Sequence, residues 1–479
     1  MSAILISLLN VLTIEEGAIT VIITRLRIQN LKCIKNIDID LKPLTIFVGP
    51  SASGKSTILH AIYWFYLKAL NNTTLTNEIP SEEKAFFNVS SYDDLALGRD
   101  LRRVEMGVEL ELSVSSHIKK YAEDLAEDVN WERLNLKKPE FSHLTVGFKL
   151  HRHEGGSLEY WLHTALDSLD IQIENRYSAV KRAREVTVKG SLEGGIEKSI
   201  PHSLLGSYYL TKFFPTSKYP KEFVEEIEKL DIFLDEIFKK LREELRKSFF
   251  LLTPLRGAVP LSSKAEEKTR LGINGEGLLE ALASVYASYD SRRREELGSL
   301  LDTWAKRFGI SCLVAGLYGK ELRATFKDPS SPEPIDLAMG SHGQKQLTTL
   351  LTQLIIAPPH SSLMVEEPEI SAHPNIQALL PLFFAEIIKK HNKQLLVTTH
   401  SSILVLALSD AIMGSEDYPD VPRLDVNDVA IYHVVRDKES GYTKVEPLEL
   451  TKEGLVKGGV PSFVDVEAKL YGRIMERIR

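Results

Sequence analysis

The hydrophobic pattern is most regular around Leu44–Val48, a continuous apolar run rich in β-branched residues that is typical of a buried strand. The run breaks at Gly49-Pro50. A helix is predicted from Ser56 to about Leu70, because its apolar residues lie on one face that can pack on a sheet. Upstream, short alternating stretches over Val21–Leu41 predict a hairpin that leads into the strand.

The next part of the chain alternates in a way that predicts an antiparallel β-lobe. The alternating segments are Val104–Val114, Leu144–Leu150 and Glu159–Leu162, with a predicted helix over Ser116–Asn130 between them. Asn71–Ser91 is polar and predicts a surface loop, while Ser178–Pro220 shows no clear period.

A long helix is predicted over Lys221–Phe250, since its apolar residues recur in steps of three and four. Such a stripe fits either a helix docked on its own domain or a short coiled-coil arm. The docked helix is favoured, because the run has too few heptads for a firm coiled-coil prediction.

The second half of the chain reads as buried strands separated by helices. Strands are predicted at Phe249–Leu252, Ser362–Val365 and Leu395–Thr398, and helices at Gly275–Ser288, Ser291–Phe308 and Leu347–Ile356. Arg292, Arg293 and Arg294 form a basic cluster, for which a solvated helix face is favoured over a phosphate contact.

Composition and charge restrict the class of protein. The 479 residues are 43% hydrophobic and 26% charged, as in soluble globular proteins. The net charge of -7 provides no overall basic surface for nucleic acid, so DNA contact would need a local patch. Cys33 and Cys312 are isolated, which argues against a disulfide framework or a zinc cluster and fits the cytoplasm.

The first residues predict neither an anchor nor a leader. Ala3–Leu12 is apolar but too short to span a bilayer, and it lacks a basic segment and a cleavage site. We expect residues 1–20 to be an extension that precedes the first strand, and we expect no membrane partner.

The break after the Leu44–Val48 strand carries the strongest chemical signal. It has the P-loop spacing, two glycines followed by lysine and serine, between a strand and a helix. Lys55 would reach the β- and γ-phosphates of a nucleoside triphosphate, and the Ser56 hydroxyl would bind Mg²⁺. A simple Gly/Ser turn is disfavoured by this context. The predicted nucleotide-binding residues are Gly49, Pro50, Ser51, Ala52, Ser53, Gly54, Lys55, Ser56 and Thr57.

Polar residues follow two later strands where a P-loop needs partners. Glu366 and Glu367 come directly after one apolar strand and His400 after the next, so all three are expected at the same sheet edge. Glu366 would hold the metal with Ser56, Glu367 would orient the attacking water, and His400 could reach the γ-phosphate. Both motifs have weaker structural readings, a surface loop and a structural histidine.

A small-residue turn before the Leu347–Ile356 helix predicts a second anion site. Ser341 can cap that helix, whose N-terminus attracts negative charge, and the turn contains Gly343 and Gln344. Alone, the turn would be weak support.

In this order, the motifs resemble the ABC-type ATPase heads of the SMC, RecF and OLD families, most closely stand-alone OLD-type AAA-family ATPases. Ser341–Gln344 is similar to their signature loop and Leu363–Glu367 to Walker B, and the resemblance assigns Glu367 as the catalytic glutamate. Ser371–Pro374 is similar to the D-loop and His400 to the switch histidine.

Several positions depart from the family pattern. His342 replaces a usual glycine, and Glu366 stands where Asp is usual. No clear Q-loop glutamine is found, and the hypothesis here is that Arg256 of the Thr253–Gly257 loop serves instead. The segment after His400 is too short for the Toprim nuclease domain of OLD nucleases, so we expect no DNA cleavage by this chain itself.

The resemblance implies an α/β, bilobed ABC-type P-loop NTPase head, with a mixed central sheet, an antiparallel β-lobe and a helical insertion. The expected parts are residues 1–20, 21–175 with Walker A and the β-lobe, 176–250 as the helical insertion, and 251–479 with the remaining motifs. It further implies ATP and Mg²⁺ as cofactors and a C₂ homodimer, in which Ser341 and Gly343 contact the ATP of the partner.

Three functions remain open on the sequence. The family likeness favours a DNA-associated ATPase in genome maintenance or anti-phage defence, with a separate nuclease or effector. A regulatory ATP-binding module with little hydrolysis remains because of Glu366. A transporter nucleotide-binding subunit is disfavoured by the missing Q-loop and the β-lobe insertion.

Overall fold

Two large sheets and a smaller one organise the chain in a computed structural model. The structure describes residues 21–70, 79–114, 116–134, 136, 138, 141–152, 158–166, 171–178, 183–190, 217, 219–264, 270–287, 291–328 and 331–478. The expected extension over residues 1–20 lies outside this part of the chain. The mixed α/β architecture that the sequence predicts is confirmed.

The β-lobe is a seven-stranded antiparallel sheet in the order β2-β1-β4-β5-β6-β7-β8. Its strands are β1 (Val21–Leu31), β2 (Ile34–Asp40), β4 (Met106–Val114), β5 (His143–Arg152), β6 (Leu158–Leu166), β7 (Ile171–Ser178) and β8 (Ala183–Gly190). β1 and β2 form the predicted hairpin. The sheet runs across residue 175, the expected end of the N-terminal part, and β8 lies where the sequence shows no clear period.

The central sheet has six strands in the order β17-β16-β3-β15-β14-β9. Its strands are β3 (Leu44–Val48), β9 (Phe249–Leu252), β14 (Ser362–Glu366), β15 (Gln394–Thr399), β16 (Val429–Arg436) and β17 (Thr443–Leu448). All neighbouring pairs are parallel except β16 and β17, so the sheet is mixed as predicted.

The inner strands separate two apolar cores. β3, β14 and β15 are buried along their whole length, as expected of parallel strands covered on both faces. Ile46 and Val48 join one core and Phe47 the other, because successive side chains point to opposite faces. Since the three strands are parallel, the segments that follow them emerge at one edge of the sheet.

One core holds the helix that follows β3, α1 (Lys55–Leu70), together with the β-lobe. A second helix, α2 (Ser81–Phe87), packs there as well, so the prediction of a surface loop over Asn71–Ser91 is wrong in its described second half. Phe87 is buried and Phe86 packs against the same core. These aromatic side chains dock the helix despite its polar surroundings.

The long predicted helix, α4 (Lys221–Ser248), docks on its own domain. Ile227, Leu234 and Leu241 on its apolar stripe are each at most 1% exposed, and they belong to the same core as the β-lobe. The docked interpretation is therefore confirmed, and the coiled-coil arm is wrong.

The remaining elements surround the other face of the central sheet or cap the β-lobe. A small sheet contains β10 (Ser263–Lys264), β11 (Ser311–Tyr318), β12 (Glu321–Lys327) and β13 (Ile335–Asp336). The helices are α3 (Ser116–Ala126), α5 (Leu278–Ala287), α6 (Ser291–Arg307), α7 (His342–Ile356), α8 (Pro374–His391), α9 (Ser402–Leu406), α10 (Leu408–Met413) and α11 (Pro461–Ile478). In the basic cluster Arg294 is exposed, and the side chains of Arg292 and Arg293 lie outside the described part.

Candidate functional site

The P-loop connects β3 to α1 in a tight conformation that two glycines make possible. Gly49 and Gly54 have φ values of 155° and 106°. A Cβ at Gly49 would lie 2.1 Å from the carbonyl oxygen of Val434, and one at Gly54 would lie 2.5 Å from Oγ1 of Thr443. Any larger side chain would therefore push the loop away from β16 and β17.

The β16–β17 hairpin hydrogen-bonds to the P-loop backbone. The sequence did not predict this contact. Arg436 Nε donates to the Ala52 carbonyl at 2.9 Å, and Thr443 Oγ1 donates to the Ser53 carbonyl at 2.8 Å. No local motif predicts these contacts, because their partners are backbone carbonyls 384 and 390 positions away in the sequence. The hairpin thus holds the loop backbone in its curled form.

Lys55 is the buried cation of the P-loop. Its Nζ donates to the carbonyls of Gly49 at 2.9 Å and Pro50 at 2.7 Å. Burial lowers the pKa of Lys55 to about 8, although the nearby carboxylates of Glu367 and Glu369 oppose this shift. A desolvated ammonium of this kind is suited to a polyanion such as a triphosphate.

Glu366 ends β14 with a side chain that is only 4% exposed. His60 of α1 contacts its Oε1 through Nε2 at 2.7 Å, and the Ser56 hydroxyl also hydrogen-bonds to it. Burial would raise the pKa of Glu366, but these hydrogen bonds and the charges of His60 and Arg256 hold it below the usual range. The structure brings Ser56 and Glu366 together, and their hydroxyl and carboxylate oxygens are ligands that Mg²⁺ accepts.

Glu367 has an uncommon backbone conformation with φ of 45°, in the left-handed region. Its N–H donates to the Thr398 carbonyl at 2.9 Å, so β15 holds the turn on one side. Nε2 of His400 lies 3.7 Å from Oε1 of Glu367, and burial together with the charge of Lys55 lowers the pKa of His400.

Arg256 holds the same turn from the other side. Its guanidinium is fully buried and donates to the carbonyls of Glu366 at 2.7 Å and Glu367 at 2.8 Å. Burial lowers the pKa of Arg256 to about 10. Arg256 therefore positions the backbone of the two glutamates. That it replaces a Q-loop glutamine stays a prediction.

Glu369 is a third acid at this edge, which the sequence reasoning did not assign. Its Oε1 accepts hydrogen bonds from Thr399 Oγ1 at 2.7 Å and from the His400 N–H at 2.8 Å. The turn after β14 therefore holds the backbone where His400 follows β15. The only sequence signal was its place two residues after Glu367.

A cavity of about 1080 Å³, large enough for a nucleotide, lies at this edge of the sheet, and Glu366, Glu369 and Arg256 are not among the described residues that line it. Lys55, Ser56, Glu367 and His400 line it, together with other P-loop residues from Ser51 to Thr57. Additional walls come from the β1–β2 turn, α2, the short 3-10 helix Leu97–Arg99 and the β16–β17 hairpin, through Lys32, Cys33, Phe87, Arg99, Arg436 and Tyr442.

The predicted signature loop does not line this cavity among the described residues. Ser341 caps α7, with its Oγ accepting from the Gln344 N–H at 3.2 Å while the Gln344 side chain accepts from the Ser341 N–H at 2.8 Å. Ser341 is exposed, and neither it nor Gly343 and Gln344 are among the described residues lining the cavity. Gly343 packs on the predicted D-loop, where a Cβ would lie 2.6 Å from the Ser371 carbonyl oxygen.

Sequence comparison identifies the family to which this site belongs. The profile of the AAA ATPase domain family AAA_15 matches residues 22–144 and 163–405, more than half of the chain. The chain belongs to this AAA ATPase family. Membership implies that the chain binds ATP. It also confirms the resemblance to AAA-family ATPase heads and their P-loop fold.

A short stretch of this chain is also similar to part of a nuclease. Over 38 residues it is 53% identical to the OLD nuclease of Thermus scotoductus. This match spans 8% of the chain and 7% of the length of that relative.

Solved SMC head domains are similar over nearly the whole chain. The Pyrococcus furiosus Smc head with an extended coiled coil, bound to the C-terminal domain of ScpA, is 14% identical with a TM-score of 0.43, covering 94% of this chain and 100% of that one. An Smc head bound to the C-winged helix domain of ScpA is 17% identical with a TM-score of 0.41, covering 90% and 98%. The Thermotoga maritima SMC head is 11% identical with a TM-score of 0.35, covering 89% and 99%.

Across the described residues, no helix combines the length and the apolar character needed to cross a membrane.

Proposed function

We propose that the chain hydrolyses ATP with Mg²⁺ and that bound ATP joins two copies of it. One observation carries this proposal. Lys55, Glu367 and His400 line a single cavity, whereas Ser341 is exposed at the N-cap of α7 and is not among the described residues that line that cavity. A second copy is what could bring Ser341 to a phosphate held by Lys55.

The residues of the cavity have distinct tasks in this proposal. Lys55 binds the β- and γ-phosphates, and Ser56 with Glu366 holds the metal, which neutralises charge on the phosphates. Glu367 orients a water molecule for attack on the γ-phosphorus. His400, 3.7 Å from Glu367, contacts the phosphate that leaves.

Pairing follows from the position of the signature loop. In a C₂ pair each copy presents Ser341 and Gly343 to the ATP of the other, so the contact is the same in both directions. Hydrolysis removes the bridging charge and loosens the pair, which makes ATP a switch.

Light scattering after size-exclusion chromatography tests this model. Glu367→Gln keeps the shape of the side chain but slows hydrolysis, so we expect a dimer with Mg²⁺ and ATP and a monomer with ADP. Adding Ser341→Asp supplies the control, because Asp still caps α7 but repels a phosphate. If the Glu367→Gln variant is a monomer at saturating ATP, the proposed dimer is refuted. If a dimer persists after Ser341→Asp, its interface does not involve Ser341.

The biological setting that we propose is a cytoplasmic ATPase acting on DNA, in repair or anti-phage defence, with a separate nuclease or effector. It is supported by the family and by the short match to an OLD nuclease. Phosphate release should rise with single- or double-stranded DNA, and the stimulation should weaken steeply with salt. A rate that DNA leaves unchanged would instead favour a regulatory ATP-binding module.

A further inference from the structure

A histidine in α1 contacts the acid that ends β14. His60 lies one helical turn after Ser56, so both side chains project from the same face of α1 toward Glu366. Nε2 of His60 is 2.7 Å from Oε1 of Glu366, and the Ser56 hydroxyl hydrogen-bonds to the same carboxylate. The acid is thereby held at two points by one helix.

The ring of His60 is itself fixed. It lies 4.7 Å from the ring of Phe86 and 6.1 Å from that of Phe87, measured between centroids, and its side chain is 18% exposed. Both aromatic residues belong to α2. The imidazole therefore has little freedom to turn away from Glu366.

We infer that His60 is a positioning residue for the metal-binding carboxylate, an inference that rests on the proposed use of Ser56 and Glu366. Glutamate carries one more methylene than the aspartate usual at this position, which lets it extend to the imidazole. His60 does not bind the metal. It holds Glu366 beside the Ser56 hydroxyl before the metal arrives, and partners of this kind commonly change metal affinity by about 10- to 100-fold.

Metal-dependent nucleotide binding tests this assignment without relying on hydrolysis. The dissociation constant of a fluorescent ATP analogue is measured in EDTA and across a Mg²⁺ titration. His60→Phe keeps a ring to pack on Phe86 and Phe87 but removes Nε2. We expect it to raise the Mg²⁺ concentration at the midpoint by about tenfold while the constant in EDTA stays within about twofold.

A double-mutant cycle supplies the matched control. In the Glu366→Asp background the shorter side chain cannot reach residue 60, so His60→Phe should add less than about a twofold change. An unshifted midpoint in His60→Phe alone, or an equal shift in both backgrounds, would overturn the role of His60. If the unaltered protein bound the analogue equally well with and without Mg²⁺, the proposed metal site itself would fail.

Discussion

Arg256→Met would remove a buried guanidinium while keeping a side chain of similar length. Arg256 donates to three backbone carbonyls, those of Thr253 at 3.1 Å, Glu366 at 2.7 Å and Glu367 at 2.8 Å. The last two belong to the acids proposed to hold the metal and orient water. Both the stability and the catalytic rate should therefore respond to this one change.

The magnitude follows from the number and kind of these bonds. Hydrogen bonds from a charged group contribute about 1.5–3 kcal/mol each, so three contribute about 5–9 kcal/mol. Removing a desolvated charge returns several kcal/mol, and we expect a net loss of about 3 kcal/mol in the free energy of unfolding. Without its bond to Arg256, the left-handed Glu367 can relax, and a displacement near 1 Å would lower kcat by about 10²-fold.

Urea denaturation without nucleotide and steady-state phosphate release measure the two effects. Arg270→Met is the matched control, because Arg270 also donates to backbone carbonyls, those of Arg246 and Phe249, but does not contact the acids. The control should lose stability and keep its kcat. A stability loss under about 1 kcal/mol in Arg256→Met, or a fall in kcat no larger than in the control, would refute the reasoning.

Two further predictions concern the signature loop and the P-loop lysine. Gly343→Ala should lower the free energy of unfolding by about 1–3 kcal/mol, because the new Cβ would lie 2.6 Å from the Ser371 carbonyl oxygen. Urea denaturation checks this against Gly298→Ala, where a Cβ meets nothing within 4 Å. Because burial lowers the pKa of Lys55 to about 8, its charge is lost as pH rises past that value. Affinity for a fluorescent ATP analogue should be constant below pH 8 and fall by up to about tenfold per unit above it, and a flat profile would contradict the assignment.

Much of the site could be predicted because its motifs are local. The glycines at 49 and 54 are needed by the loop in which they lie, and the capping bond of Ser341 spans three residues. Glu366 ends one apolar strand and His400 follows another, and because these strands are parallel their ends lie at one edge of the sheet. In each case neighbours in sequence carry the physical cause.

The parts that could not be predicted depend on contacts between distant segments. A histidine within an apolar helix such as α1 gives no sign that its partner is Glu366, 306 positions away. The side chain of Arg256 donates to backbone carbonyls. Because every residue has a backbone carbonyl, no residue type marks these partners in the sequence. Likewise α2 forms because Phe86 and Phe87 dock on a core assembled from the rest of the domain.

Hydrogen bonds within one chain connect the predicted signature loop to the two glutamates, and this bears on how the proposed pair of copies would work. The α7 residue Gln346 donates to the Pro254 carbonyl at 3.1 Å, and Arg256, in the same loop, holds the carbonyls of Glu366 and Glu367. A phosphate that binds the exposed N-terminus of α7 can therefore displace the Thr253–Gly257 loop, which also holds the backbone of Glu367. In the proposed pair, ATP bound by one copy would act through these few bonds on Glu367 of the other copy. This is a physical reason for ATP hydrolysis at the two sites to be coupled.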